Sequence, residues 1–260
     1  MSLLLKNELR LRLGAQGCAA EVWRAGWARR PAAEVRVQGS DGAQLEQALD
    51  ALLDQGQALP RKATICVGDE FLYFAVLPAE GSWQHAQAQA EACFADSLGG
   101  DERLVTLQLS PDGGQWLAVA VDAALVDGWR QTLATQGVTL SGLRPGLFED
   151  LWRWQLAWPL DDALIVLMRD QGVMCLGVLA GAVHSIAWER CDVSQPELWC
   201  ARVQACAERL SAAREDGDDG EAGSTVPVIL VPEHEAEAAA LQMLSPMLGW
   251  QVLSRAATPS

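Results

Sequence analysis

The hydrophobic pattern of this chain begins with a period of two. Leu9–Leu13, Cys18–Ala25 and Ala33–Val37 alternate apolar and polar positions. They predict three short strands joined by tight turns, the first turn bounded by Gly14 and Gly17. The period then changes to that of a helix. In "SDGAQLEQALDALLDQG", Leu45, Leu49, Leu52 and Leu53 define one apolar face, Ser40 or Asp41 serves as cap, and Gly56 stops it. "RKATICVGDEFLYFAVLP" predicts strands Ala63–Val67 and Glu70–Leu77, separated by Gly68-Asp69. An Ala-rich helix over 83–98 and strands Arg103–Leu109 and Gln115–Val121 follow, the strands joined by "SPDGG". Asp122 then caps a helix, "VTLSGL" forms a strand, and "RPGLFEDLWRWQ" reads as a short helix leading out of this half.

The second half restarts the pattern near Asp161. Ala163–Arg169, Val173–Leu179 and Val183–Arg190 predict three hairpin-connected strands. A helix follows with Ser194 as cap and Pro196 in its first turn. "EDGDDGEAGST", at about 214–225, is acidic and Gly-rich and reads as a mobile loop. The strand "VPVILV", a helix that Pro246 should kink and the strand "WQVLS" complete the order. Each half thus runs three strands, helix, strand, which marks an internal duplication. Two α/β lobes of this order, with a small α+β insertion in the first, are the layout of the actin-like, duplicated ribonuclease H-like fold. The expected division is 1–158 for the first lobe, with its insertion at about 78–120, and 159–260 for the second.

Composition narrows the function classes. A chain of 260 residues with 50% hydrophobic residues has ample material for a core. Its formal net charge of −15 opposes binding to nucleic acid or to anionic lipid. "MSLLLKNELRLRL" is too short in apolar residues for a signal peptide, and no run approaches the roughly 18–20 residues of a membrane span. A soluble, cytoplasmic protein without direct membrane insertion is expected. The seven cysteines include no CxxC pair; they read as reduced, mostly buried small hydrophobes. Cys191, Cys200 and Cys206 with His184 fit no zinc spacing, so no metal site is expected.

The residues offer no catalytic constellation. His85 and His234 read as surface residues. His184 lies in an apolar strand beside Ser185, and neighbours in a strand point to opposite faces. Glu233, Glu235 and Glu237 cluster at a predicted helix start, where the helix dipole favours them. Eleven tryptophans against one tyrosine and four phenylalanines are unusual. Trp23 and Trp27 flank the first hairpin, Trp83 and Trp116 lie in the insertion, and Trp152, Trp154 and Trp158 cluster between the halves. Core packing is the ordinary role of Trp, and an exposed subset marks a partner surface.

"VGDEFLYFAVLP", "AQAEACFADSLGG" and "WLAVAVDAALVDGWRQTLATQGVTLSGLRPGLFEDL" resemble the PilM/GspL/MshI group of actin-like pilus and type II secretion proteins. "ALIVLMRDQGVMCLGVLAGAVHSIAWER" resembles that group's opening of the second lobe, and "VPVILVPEHEAEAAALQMLSPMLGWQV" its closing strand, helix and strand. The resemblance spans nearly the whole chain and rests on pattern rather than on an invariant motif. It implies a cytoplasmic scaffold held at the inner membrane through partners. Those partners are a membrane-anchored assembly protein offering a cytoplasmic peptide and, by likeness to GspL, an assembly ATPase. Phe74, Trp83 and Trp116 are the partner-contact candidates.

Nucleotide-binding members of the actin-like superfamily place an Asp at the end of the first strand and often a Lys in the second. "LRLGAQGCA" puts Arg12 and Ala19 there. The second hairpin offers Leu167, Met168 and Arg169 where another Asp is needed, with Asp170 in the turn. "VILVPEHEAE" offers Pro232, Glu233 and His234 where glycines should approach adenosine. The expectation is a pseudo-ATPase with no cofactor or metal. The alternative is an ATP-binding kinase or ATPase of the same superfamily with a displaced site.

Overall fold

The structure is a computed structural model, and it describes residues 7–24, 30–39, 43–98, 103–154, 161–215, 225–232, 241–242 and 249–252. Ser40, Asp41, Trp27, Trp158, Glu233, His234, Glu235, Glu237, Pro246 and most of the acidic loop lie outside the described residues. The chain divides into two compact units: residues 1–73, 91–106 and 119–153, and residues 74–90, 107–118 and 154–260.

The first unit is built on a five-stranded sheet. Its strands are β1 (Glu8–Gly14), β2 (Gly17–Trp23), β3 (Ala33–Gln38), β4 (Lys62–Val67) and β8 (Thr139–Pro145). Their order is β3-β2-β1-β4-β8. β1, β2 and β3 pair antiparallel, while β4 and β8 join β1 in parallel. The predicted alternation is realised: Leu9, Leu11 and Leu13 are buried, with Cys18, Ala20 and Val22 on the neighbouring strand. Helix α1 (Gln44–Asp54) buries Leu45, Ala48, Leu49 and Leu52. Leu53, expected on the same face, is 41% exposed, because one further residue rotates a side chain about 100° around the helix. The helix starts at Gln44 with Ala43 as its N-cap.

Between β4 and helix α3 (Ala123–Thr135) the chain forms β5 (Tyr73–Pro78), helix α2 (Trp83–Leu98), β6 (Arg103–Leu109) and β7 (Gln115–Asp122). The three strands make a separate sheet in the order β5-β7-β6. On α2, Ala86, Ala90 and Phe94 are buried at helical spacing. The strand expected from Glu70 starts later, at Tyr73, because Asp69–Phe71 forms a 3-10 turn. Phe71 N–H donates to the Gly68 carbonyl at 3.1 Å and Leu72 N–H to the Asp69 carbonyl at 3.2 Å, which closes that turn. After β8, helix α4 (Gly146–Trp154) ends the first half.

The second unit repeats the plan. β9 (Ala163–Arg169), β10 (Gly172–Leu179), β11 (Ala182–Arg190), β12 (Val228–Val231) and β13 (Gln251–Val252) form a five-stranded sheet in the order β11-β10-β9-β12-β13. The pairing senses match those of the first sheet. The duplication expected from element order is therefore a duplication of topology. Helix α5 (Pro196–Glu215) packs Trp199, Val203, Cys206, Ala207 and Leu210 into a cluster with Leu164, Val166, Met168, Val173 and Cys175. Trp199 and Trp250 meet there at 6.0 Å between ring centroids. Ser194, expected as the helix cap, instead donates its N–H (2.9 Å) and hydroxyl (2.6 Å) to Asp192 Oδ1.

Candidate functional site

The loop end of β1 is where the sequence placed a degenerate phosphate hairpin. β1 and β2 are joined by a two-residue turn, Ala15-Gln16, with Gly14 opposite Gly17. Gly17 is required by packing, since a Cβ there would collide with the Val37 carbonyl oxygen of β3. Gly172 fills the same position in the β9–β10 hairpin, and its Cβ would collide with the Glu189 carbonyl oxygen of β11. Both glycines thus serve the close approach of the third strand.

The turn amide is already occupied. Ala15 N–H donates to Glu70 Oε1 at 2.6 Å, across 55 residues of sequence. The Glu70 carboxylate lies close against two positions that lack side chains. A Cβ on Gly14 would lie 3.0 Å from Glu70 Oε1, and one on Gly68 would lie 2.6 Å from Glu70 Oε2. Gly68 N–H in turn donates to the Leu13 carbonyl at 2.7 Å, which fixes the end of β4 beside the end of β1. An anion-accepting turn is therefore filled by a carboxylate of the chain itself.

Two more carboxylates at this end are also committed. Asp69 is 1% exposed, and its Oδ1 accepts the Leu147 N–H at 3.1 Å. It caps the first turn of α4 from a distant part of the chain, where the helix dipole favours a negative charge. Glu149, on α4, lies 3.7 Å from the Arg12 guanidinium. Arg12 stands where nucleotide-binding members have a metal-handling Asp, and the structure gives it a carboxylate partner. Cys66, opposite Arg12 in the sheet register, is no nucleophile: burial pushes its thiol up to about 12.

The sequence signal for Glu70 and Asp69 was a Gly-Asp-Glu run at the end of a buried strand, where ligands of α/β sheets gather. Alternation puts Glu70 at the start of a strand and leaves Asp69 in the turn before it, so neither stands out as a site residue. At the opposite end of β1, burial works against the charge of Glu8, yet the Thr64 hydroxyl at 2.7 Å and Arg10 at 3.0 Å hold its carboxyl below the usual range. Arg10 also lies over the Trp23 ring at 4.6 Å, and Trp23 Nε1–H donates to Glu21 at 2.7 Å.

Neither of the two described histidines, His85 and His184, stands in a catalytic arrangement. His85 is exposed on α2, as expected. His184 and Ser185 are both exposed, although strand alternation put them on opposite faces. The register of β10 and β11 shifts between Gly177 and Val178, leaving His184 as the extra residue of a bulge. In the second hairpin, Asp170 is an exposed turn residue.

Trp83 and Trp116 fall within the expected insertion, and Phe74 stands on β5, which leads into it. Trp83, the first residue of α2, is 54% exposed. Phe74 is half-buried on β5, and Trp116 is half-buried on β7. β5 reads Tyr-Phe-Ala-Val-Leu-Pro, stands at the edge of its sheet, and has no fully buried position. Trp152 on α4 is 77% exposed.

No family model matches the chain, and no curated protein matches it in sequence. Solved structures do match. A Bacteroides thetaiotaomicron protein with actin-like ATPase fold and unknown function superposes with a TM-score of 0.62 at 10% identity, covering 100% of this chain and 96% of that one. A chain of the PilM–PilN type IV pilus biogenesis complex superposes with a TM-score of 0.63 at 12% identity, covering 95% and 88%. The cytoplasmic domain of EpsL, an inner membrane component of the type II secretion system of Vibrio cholerae, gives a TM-score of 0.48 at 15% identity, covering 87% and 82%. The chain has the two-lobed actin-like fold, and it shares that fold with a component of a pilus biogenesis complex, as its resemblance to the PilM/GspL/MshI group implied.

Proposed function

We propose that this chain is a non-catalytic scaffold of a type IV pilus-like or type II secretion-like assembly platform. It works in the cytoplasm at the inner membrane and binds the cytoplasmic segment of a membrane-anchored partner. One observation carries the non-catalytic reading: Asp69, Glu70 and Glu149, three carboxylates at the loop end of the first sheet, are each engaged within the chain. A metal-nucleotide site needs such groups directed at ligand. The fold shared with a chain of the PilM–PilN complex supports the pilus-platform reading. Among the described residues no helix is long and apolar enough to cross a membrane, so attachment through a partner fits.

The inserted sheet is the proposed docking element. A strand that stands at a sheet edge among the described residues is a template for an extended peptide, and β5 adds apolar side chains that are not fully buried. Trp83 provides an exposed aromatic anchor beside it in sequence. The test is a pull-down with membrane proteins whose short cytoplasmic tail precedes a single membrane helix. One such protein should be retained by the chain, and Trp83→Ala or Phe74→Ala should weaken retention about tenfold or more. Failure with every such candidate counts against the pilus reading.

A further inference from the structure

One end of the inserted sheet gathers exposed apolar and acidic side chains. Ala79 N–H, just past β5, donates to the Gly114 carbonyl at 3.1 Å, and Ser110 N–H, just past β6, donates to the Gln115 carbonyl at 2.9 Å. The ends of β5 and β6 therefore meet the start of β7. Gly114 N–H donates to Asp112 Oδ2 at 2.9 Å, which holds that carboxylate at the hairpin tip. Asp112 and Glu80 are both exposed. Two large apolar side chains are exposed as well: Leu109, the last residue of β6, at 44%, and Trp83, which opens α2 three residues after Glu80, at 54%.

This part of the chain is short of cations. Between Lys62 and Arg130 the sequence has one Lys or Arg, Arg103, against ten Asp and Glu, which makes −9 of the net −15. Residues 74–90 and 107–118, which belong to one compact unit, have no Lys or Arg at all. β1 and β2 show how the chain satisfies a similar set of groups elsewhere. Trp23 Nε1–H donates to Glu21, and Arg10 lies over the Trp23 ring at 4.6 Å while bonding Glu8 at 3.0 Å. There the cation is internal. Trp83, Glu80 and Asp112 repeat the combination of an indole and two carboxylates, and their own segments supply no cation.

We infer that this end of the inserted sheet takes a Lys- or Arg-bearing segment of the partner, an inference that rests on the scaffold role proposed above and names the chemistry of what docks. Cytoplasmic segments next to a membrane helix are rich in Lys and Arg, so such a partner brings the cations that the insertion lacks. Its apolar residues pack on β5 and Leu109, and its cations meet the Trp83 indole and the Glu80 and Asp112 carboxylates. A second copy of the chain is a poor occupant, because it presents the same excess of negative charge. Nucleic acid and anionic lipid are repelled for the same reason. Each exposed charge pair contributes little alone, so the preference comes from several cations together and weakens as salt rises.

The experiment titrates the full chain into two fluorescein-labelled peptides of equal length, one alternating Val and Lys and the other Val and Glu, and reads anisotropy at low and at physiological ionic strength. The Lys peptide should bind about tenfold more tightly than the Glu peptide or better, and more weakly as salt rises. Glu80→Lys combined with Asp112→Lys should weaken the Lys peptide about tenfold, and Trp83→Ala by a similar factor. Glu46→Lys combined with Asp54→Lys, at two exposed positions of α1, makes the same change in net charge and should weaken it less than about threefold. Equal losses in the two charge-reversed pairs overturn the inference, because net charge alone would then explain the binding. Equal binding of both peptides, or binding of neither, overturns it too, and the scaffold reading is then judged by its own pull-down. A membrane protein retained in that pull-down whose cytoplasmic segment holds no Lys or Arg overturns the inference and leaves the scaffold reading standing.

Discussion

β1 and β9 hold the same place in their sheets, each antiparallel to a hairpin partner and parallel to the next strand. β1 buries only Leu9, Leu11 and Leu13, while Glu8, Arg10 and Arg12 occupy its other face. β9 buries every residue from Ala163 to Met168. β1 therefore keeps a charged, accessible face and β9 does not. The topology needs only one apolar face per strand, as β1 demonstrates. The second face is free to vary, and in the first sheet it carries the ion pair of Arg12 and Glu149.

Exchanging the two patterns is the severest way to break this comparison. Leu167, two residues before the end of β9, matches Arg12, two residues before the end of β1, counted from the hairpin pairs Arg169↔Gly172 and Gly14↔Gly17. Leu167→Arg places an unpaired charge at a site 3% exposed and should cost more than about 3 kcal/mol in urea unfolding. Arg12→Leu removes a half-exposed pair and should change stability by less than about 1 kcal/mol. Equal effects would show that the two faces are not distinct.

The next test concerns what the two hairpins share. Gly17→Ala and Gly172→Ala each drive a Cβ into a backbone carbonyl of the third strand. Each should lower stability by about 2 kcal/mol, measured by the same unfolding. If only Gly172→Ala is costly, the first hairpin glycine has some role other than packing.

What the hairpins do not share is Glu70. Gly68→Ala should expel the Glu70 carboxylate and cost about 1–2 kcal/mol, because Ala15 N–H loses its partner. In a Glu70→Ala background the same glycine substitution should cost about 1 kcal/mol less. A thermal-unfolding double-mutant cycle reads this coupling, and zero coupling would mean that the glycine serves the backbone alone.

The fold was legible in the sequence where a strand or helix has one apolar face. Leu9, Leu11 and Leu13 announce β1, and the uninterrupted run from Ala163 announces a strand covered on both faces. The duplication was readable from element order because each lobe's plan is local in sequence. The site was less legible. Arg12 could be seen to be the wrong residue for a metal, since that needs only its own identity. The Glu70 carboxylate could not be placed on the turn, because its partner Ala15 is 55 residues away and local alternation favoured a strand. Leu53 and His184 show the same limit on a smaller scale: a one-residue step on α1 and a bulge on β11 override the pattern.

The measurement that bears most directly on the scaffold reading is calorimetric titration of the chain with ATP and magnesium. With Ala15 N–H bonded to Glu70, Asp69 on the start of α4 and Arg12 facing Glu149, no saturable heat is expected up to millimolar nucleotide. Saturable binding at micromolar ATP would contradict the account and favour a kinase or ATPase with a displaced site.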